Sequence, residues 1–438
     1  MQAVHGSWRC GFEVDDRFII SKVYGIQALD SRGSPTVKAI VETRGGGKGY
    51  GLAPSGASKS SKEAVELRDG GRRWRGKGVS RALSMLENLV APRLVGIDSR
   101  RQDLADSILD AVDGSGNKSR VGGNTSTAVS IAVARAAAST AGLPLYRYLG
   151  GPTSRLLPVP ILNVINGGAH AGNDLAFQEF MIIPMGADSF SDALRMSVEV
   201  YWSLKEFLKE KYGPVAVNVG DEGGYAPPMS RVEEALEALE RAIDRSGYAL
   251  GSDFYLGIDA AANHFYDEST GVYVVDGRRL DRGALMDLYE DLAVRYRLAY
   301  LEDPVHEDDV EGYREATRRL GHKALIVGDD LYATNTKLLS KGIEAGATNA
   351  ALVKVNQVGT LTETVDFIRM AVGSGMRVII SHRSGDTEDT FIADLAVAVE
   401  AGIIKTGAPA RGERTSKYNR LLEIEWELGA EARYKPFI

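Results

Sequence analysis

The 438-residue chain has one cysteine, Cys10, so an intramolecular disulfide is excluded and the reducing cytoplasm is the expected compartment. Positive charge is not in excess: 52 Lys and Arg against 59 Asp and Glu leave a formal net charge of -7. That balance gives nucleic acid no electrostatic footprint on the scale of the whole chain, and a small anionic ligand would need a local basic pocket. A long uncharged apolar run is also missing. The best stretch, 126–145, is rich in alanine but carries Arg135 and ends in Gly-Leu-Pro, so it reads as a buried helix and not as a membrane span. The opening MQAVHGSWRCGFEVDDRF has no apolar core of the kind a signal peptide needs, and residues 1–18 are expected to form a flexible extension. What is present is an ordinary globular composition, 44% hydrophobic and 25% charged, in a length that suits a small domain plus one of barrel size.

From residue 19 to 50, two alternating apolar runs flank the turn-forming clusters SRGSPT and RGGGKG, which predicts antiparallel strands. The second cluster invites a phosphate-loop reading, but glycine follows Lys48 where serine or threonine is needed, and a hairpin turn explains it better. Helical patterns follow over 62–69, 80–95, 101–110 and from about 124 onward. Together these predict an α+β domain over 19–150. The Gly- and Pro-rich LGGPTSRLLPVP, 149–160, reads as a linker to a second domain over 151–438. There, short apolar runs end before Asp259, Glu302, Gly328, Lys354 and Ser381, the later ones at the spacing of one βα unit, which predicts a parallel α/β barrel.

Catalytic side chains of such a barrel sit at the C-terminal ends of its strands. Asp259, Glu302 and Asp329 stand at three consecutive ends. Singly each reads as a cap or solvated acid, but together they would repel one another unless a hard cation joined them, and an all-oxygen set favours magnesium over zinc. Asp303 and Asp330 read as capping neighbours. Lys354 comes next in the series and is either a snorkelling lysine or, beside a cation, a base. NVGDEGGYAP places Glu222 in a glycine-flanked acidic pair, equally readable as a turn. NVINGGAHAGNDLAFQEFMI holds His170, Gln178 and Glu179, and SHRSGDTEDT and IKTGAPARGER supply Arg383 and Lys405, cations suited to phosphate and carboxylate.

From about residue 19 to the C-terminal region the chain resembles the enolase family. The resemblance rests on SRGSPTV, PSGAS, NGGAHAGN, FQEFMI, NVGDEGG, EDP, GDDL, LVKVNQVGTL, SHRSGDTEDTFIADL and KTGAPARGER, in the family's order. It implies a capping domain and a modified (β/α)8 barrel whose first units depart from the usual βα order. It also implies a magnesium-dependent lyase acting on 2-phosphoglycerate and phosphoenolpyruvate in glycolysis and gluconeogenesis, as a homodimer or higher homo-oligomer. By motif, Asp259, Glu302 and Asp329 would bind the first of two magnesium ions and Ser58 of PSGAS the second. Lys354 would take the C2 proton, Glu222 would protonate the departing hydroxyl and Glu179 would assist. Arg383 and Ser384 would hold the phosphate, Lys405 the carboxylate, and Gln178, His170 and His382 would complete the pocket. After PSGAS the family usually continues Thr-Gly, whereas this chain reads Lys59-Ser60-Ser61-Lys62, a departure expected to alter the closing loop. The alternatives are another superfamily reaction, acid-sugar dehydration or lactonisation, or a non-catalytic scaffold. Glu222 and the Arg383-Ser384 pair argue against the first, and the intact catalytic set against the second.

Overall fold

Alternating apolar residues and two tight turns make β1 (Ile20–Leu29), β2 (Pro35–Thr43) and β3 (Lys48–Leu52) an antiparallel meander in the computed structural model, which describes residues 15–57 and 60–437. Helix Gly123–Ala141 lies across it, close enough that a Cβ at Gly49 would stand 2.1 Å from the Ala132 carbonyl oxygen. The small residues of β3 are what admit this approach. Cys10 and residues 1–14 lie outside the described residues, while Asp15 caps a short 3₁₀ turn whose Phe18 is buried, so the packed fold begins ahead of residue 19.

The sequence reading and the structure part in three places here. Over 62–69 there is no helix, because the backbone donors bond elsewhere: Ala64 to the Gln357 carbonyl, Val65 to that of Asn117, and Leu67 to the Asn124 side chain. The helical run from residue 80 is broken by a π-helical stretch, Leu86–Val90, before Ala91–Leu94. The segment 149–160 is not all linker, since it contains β4 (Leu156–Leu157) and the start of β5 (Val159–Asn166).

β5, β6 (Glu179–Ile183) and β7 (Tyr255–Asp259) open a closed eight-stranded barrel. A three-stranded insert of β8 (Tyr266–Asp267), β9 (Val272–Val275) and β10 (Arg278–Leu280) follows. The barrel then continues with β11 (Leu298–Glu302), β12 (Leu325–Gly328), β13 (Ala350–Val353), β14 (Arg377–Ser381) and β15 (Ile403–Lys405), and a short β16 (Arg433–Tyr434) pairs with β4. Only β6 runs against its neighbours. The usual βα alternation starts late because β6 follows β5 directly, and two helices, Phe190–Tyr212 and Val232–Arg245, separate β6 from β7. Alternate residues such as Ile161, Met181, Ala299, Val327, Leu352 and Ile379 fill the lumen, while the other faces pack on the surrounding helices. Among the described residues no helix is long and apolar enough to cross a membrane.

Candidate active site

The reversed strand decides what meets at the barrel mouth. A parallel strand offers its last residue there, as β7 does with Asp259 and β11 with Glu302, whereas β6 offers its first. Glu179 therefore lies in register with Asp259, and the 167–178 loop that carries His170 and Gln178 closes over the same end. The loop between the two helices brings Glu222 in, pinned where the amide of Tyr225 bonds the Val164 carbonyl and Asn166 returns a bond to Tyr225. Gly223 there has φ +85, a conformation glycine takes without strain. A cleft of about 420 Å³ results. Every predicted site residue lines it except Glu302, which is buried against Tyr300, and Ser58, which lies outside the described residues.

Two lysines hold the carboxylates together. Lys405 Nζ lies 3.1 Å from Glu179, 3.2 Å from Asp259 and 2.7 Å from Glu302, and Lys354 pairs with Asp329. Burial alone would discharge Lys405, but Asp259, Glu179 and Glu302 keep it well above its usual range. Burial, then the Asp259 charge, lift Glu302 to about 8. Lys354 is likewise held protonated against its burial by Asp329, so in this arrangement it is not the neutral base that a neighbouring cation would make it.

The donor set suits a hard cation. Glu302, Asp303 and Asp329 offer oxygens within 4.8 Å of one another. Asp303, however, spends both oxygens on the amides of Asp329 and Asp330 at 3.0 Å each and on the Tyr313 hydroxyl. It braces the neighbouring turn, in keeping with a capping role. Asp259 Oδ1, by contrast, is buried with no hydrogen-bond partner, which leaves a carboxylate oxygen open for an ion.

Glu179 and Glu222 form a second group with His170, their ligand atoms again within 4.8 Å. Burial and the charge of Glu222 raise Glu179 well above the usual carboxylate range. Burial would raise Glu222 too, but His382, His170 and Arg414 bring it well below. Two buried carboxylates this close favour a single proton shared between them. Glu222 Oε2 accepts from Asn163 Nδ2 at 3.0 Å and lies 3.3 Å from His382 Nε2.

Arg383 is gripped by Glu63, whose carboxylate lies 2.8 Å and 3.1 Å from its two terminal nitrogens, with Asn356 beside them. Ser384 Oγ accepts from the amide of Ala57, and Ser55 and Gly385 exchange backbone bonds, so the loop before Ser58 is stitched to the predicted phosphate side. Beyond it, Ser60 and Lys62 bond Glu307, and Lys62 also meets Asp308. Lys62 is thus tied to the 303–309 loop and starts no helix. Gln357 links Glu63 to Asp329. Sequence reasoning missed Glu63, Asn163, Tyr300, Gln357 and Arg414, which act on other site residues. The KEAV and GER surroundings of Glu63 and Arg414 carry no chemical signal of their own.

Two family models match the chain: "Enolase, N-terminal domain" over residues 20–149 and "Enolase, C-terminal TIM barrel domain" over 154–437. Among similar proteins, one named Enolase from Aeropyrum pernix is 60% identical over 417 residues, 95% of this chain and 96% of that protein. Enolases of Methanopyrus kandleri and Pyrococcus furiosus are 55% and 54% identical, each matching at least 95% of this chain and 98% of their own length.

Proposed function

Because the chain belongs to the enolase family, a hydro-lyase family that reversibly dehydrates 2-phospho-D-glycerate to phosphoenolpyruvate, we propose a division of labour among its residues in that reaction. The observation that carries it is the opposition of Lys354 and the Glu179–Glu222 pair. In the closed ring, β6 and β13 are four strands apart, so Glu179, at the start of β6, and Lys354, just after β13, face each other across the cleft. A base on one side and an acid on the other suit loss of a proton and a hydroxyl from neighbouring carbons.

Lys354 takes the C2 proton once Asp329 is engaged elsewhere, since the ion pair otherwise keeps the amine charged. Glu222 protonates the departing hydroxyl, and Glu179, which shares the pair's single proton, resupplies it. Arg383 and Ser384 bind the phosphate, and that role requires the Arg383 fork to exchange part of its grip on Glu63 for the substrate. Lys405 meets the substrate carboxylate. Gln178, His170 and His382 line the remaining wall and exclude water. Asp259, Glu302 and Asp329 would hold one magnesium ion and Ser58 a second, which when bound supply positive charge opposite the carboxylate that gains charge as the C2 proton leaves.

The single cysteine supports the cytoplasm as compartment, with the small-molecule substrate and no nucleic acid as partners. A homodimer or higher homo-oligomer is the family-based proposal, checked by light scattering. The deciding assay follows absorbance of phosphoenolpyruvate formed from 2-phosphoglycerate. Product should form with magnesium and stop on chelation, and product formation that survives chelation would overturn the metal assignment.

A further inference from the structure

The chemistry of its neighbours assigns His382 to a single tautomer. Its Nδ1 lies 2.6 Å from Nη1 of Arg414, a fully buried residue of the Gly412–Leu428 helix. A guanidinium offers donors only and stays charged at any accessible pH. That nitrogen of His382 must therefore accept, which leaves the ring neutral with its proton on Nε2. Nε2 in turn lies 3.3 Å from Glu222 Oε2, the oxygen already bonded by Asn163, near it but without hydrogen-bond geometry, so both donors lie nearest the same oxygen. Oε1 is left towards His170, at 3.7 Å, and Glu179.

From this geometry we propose that Arg414 is a positioning residue for the reaction: by fixing the tautomer of His382 it anchors Glu222 through Oε2 and reserves Oε1 to pass the proton. The same guanidinium bonds the carbonyls of Arg383, at 2.6 Å, and Asp221, at 3.0 Å. It therefore joins the loop that carries the acid to the loop that carries the phosphate ligands, and sets the span between them. The charged groups around the imidazole are Glu222, Arg414 and Asp386. Burial outweighs the two carboxylates and, with Arg414, brings His382 down to about 4. Without Arg414 burial still keeps the ring neutral, but Nδ1 is no longer obliged to accept, so the proton can sit on either nitrogen and the contact to Oε2 is no longer fixed.

The catalytic part of this inference rests on Glu222 as the acid, whereas the tautomer does not, and the test separates them. Nitrogen-15 spectra of the histidine side chains, with His382 assigned by its loss in His382→Gln, should show a neutral ring protonated at Nε2 and unchanged between roughly pH 6 and 9. In Arg414→Met that signal should become a mixture of the two neutral tautomers. Dehydration should then fall by roughly tenfold or more while exchange of the C2 proton with deuterium continues, and Arg414→Lys should recover part of the loss. A parent spectrum with the proton on Nδ1, or a cationic ring at neutral pH, overturns the proposal. So does an Arg414→Met enzyme whose dehydration and exchange keep the parent ratio. If Arg414→Met does not fold, the parent spectrum and Arg414→Lys still decide. Dehydration that persists in Glu222→Gln alongside the expected tautomer would instead overturn the acid assignment and leave the Arg414–His382 bond standing.

Discussion

Two clusters of buried charge lie within one molecule, and they are finished differently. At the seam between the domains, Arg135 grips Asp389 at 2.7 Å and 2.9 Å, and the amides of Leu52 and Phe391 each add a 2.9 Å bond, so both oxygens of the acid are doubly bonded. At the barrel mouth, more carboxylates are packed around two lysines, yet Asp259 Oδ1, Gln178 Oε1 and His170 Nδ1 find no partner. Burial without satisfaction costs stability. The Arg135–Asp389 cluster has none of that cost and ties the two domains together, whereas the mouth keeps it and leaves polar atoms open to a ligand.

The largest effects should fall on the mouth and be read in activity per folded molecule. Lys354→Ala should remove both C2 exchange and dehydration, and Glu222→Gln should keep exchange while dehydration falls by about 10²–10⁴, the usual share of one acid or base. Equal loss of exchange in both variants would break the assignment of roles. At the seam the order reverses. Arg135→Met leaves the Asp389 charge buried and unpaired and should cost about 3–5 kcal/mol in denaturant unfolding, with turnover per folded molecule near that of the parent. A fall in turnover without loss of stability would show that the two clusters are not separable.

Metal should sharpen the contrast. If magnesium binds only the folded mouth, 100 times its dissociation constant should add about 2.7 kcal/mol of stability. That increment should vanish in Asp329→Asn and survive in Arg135→Met, measured as thermal shifts against metal concentration. Acid should act on the seam. Burial would raise Asp389, but Arg135 holds it below its usual range. Its contribution is therefore complete above the unfolded carboxylate value, about 3.9, and lost as pH falls through the lower folded value. Stability measured from about pH 5 downward should fall less steeply in Asp389→Asn. The smallest effect belongs to Lys62, whose ion pairs with Glu307 and Asp308 are partly exposed. Lys62→Ala should cost about 1 kcal/mol or less, and any change in kcat/KM should fade as salt rises.

Strand ends were legible in the sequence because a buried parallel strand is a short apolar run, and the polar residue that stops it marks the mouth. That rule found Asp259, Glu302, Asp329 and Lys354, and the meander of β1 to β3 was legible from period and turn chemistry. It was silent on Glu179, since an apolar run preceded by an acid carries no sign of its direction, and only the reversed β6 turns a strand's beginning into a mouth residue. It misread 62–69, where helical spacing was present but the backbone found partners on other segments. By itself the sequence determined the meander, the placing of apolar runs and the chemical types available at their ends, since periodicity and side-chain chemistry are local. Only the tertiary structure decided which ends face one another, that Glu63 and Arg414 reach the site, and that Glu179 and Glu222 come close enough to share a proton. Those depend on distances of a few ångströms between residues far apart in the chain, where burial makes each neighbour's charge decisive.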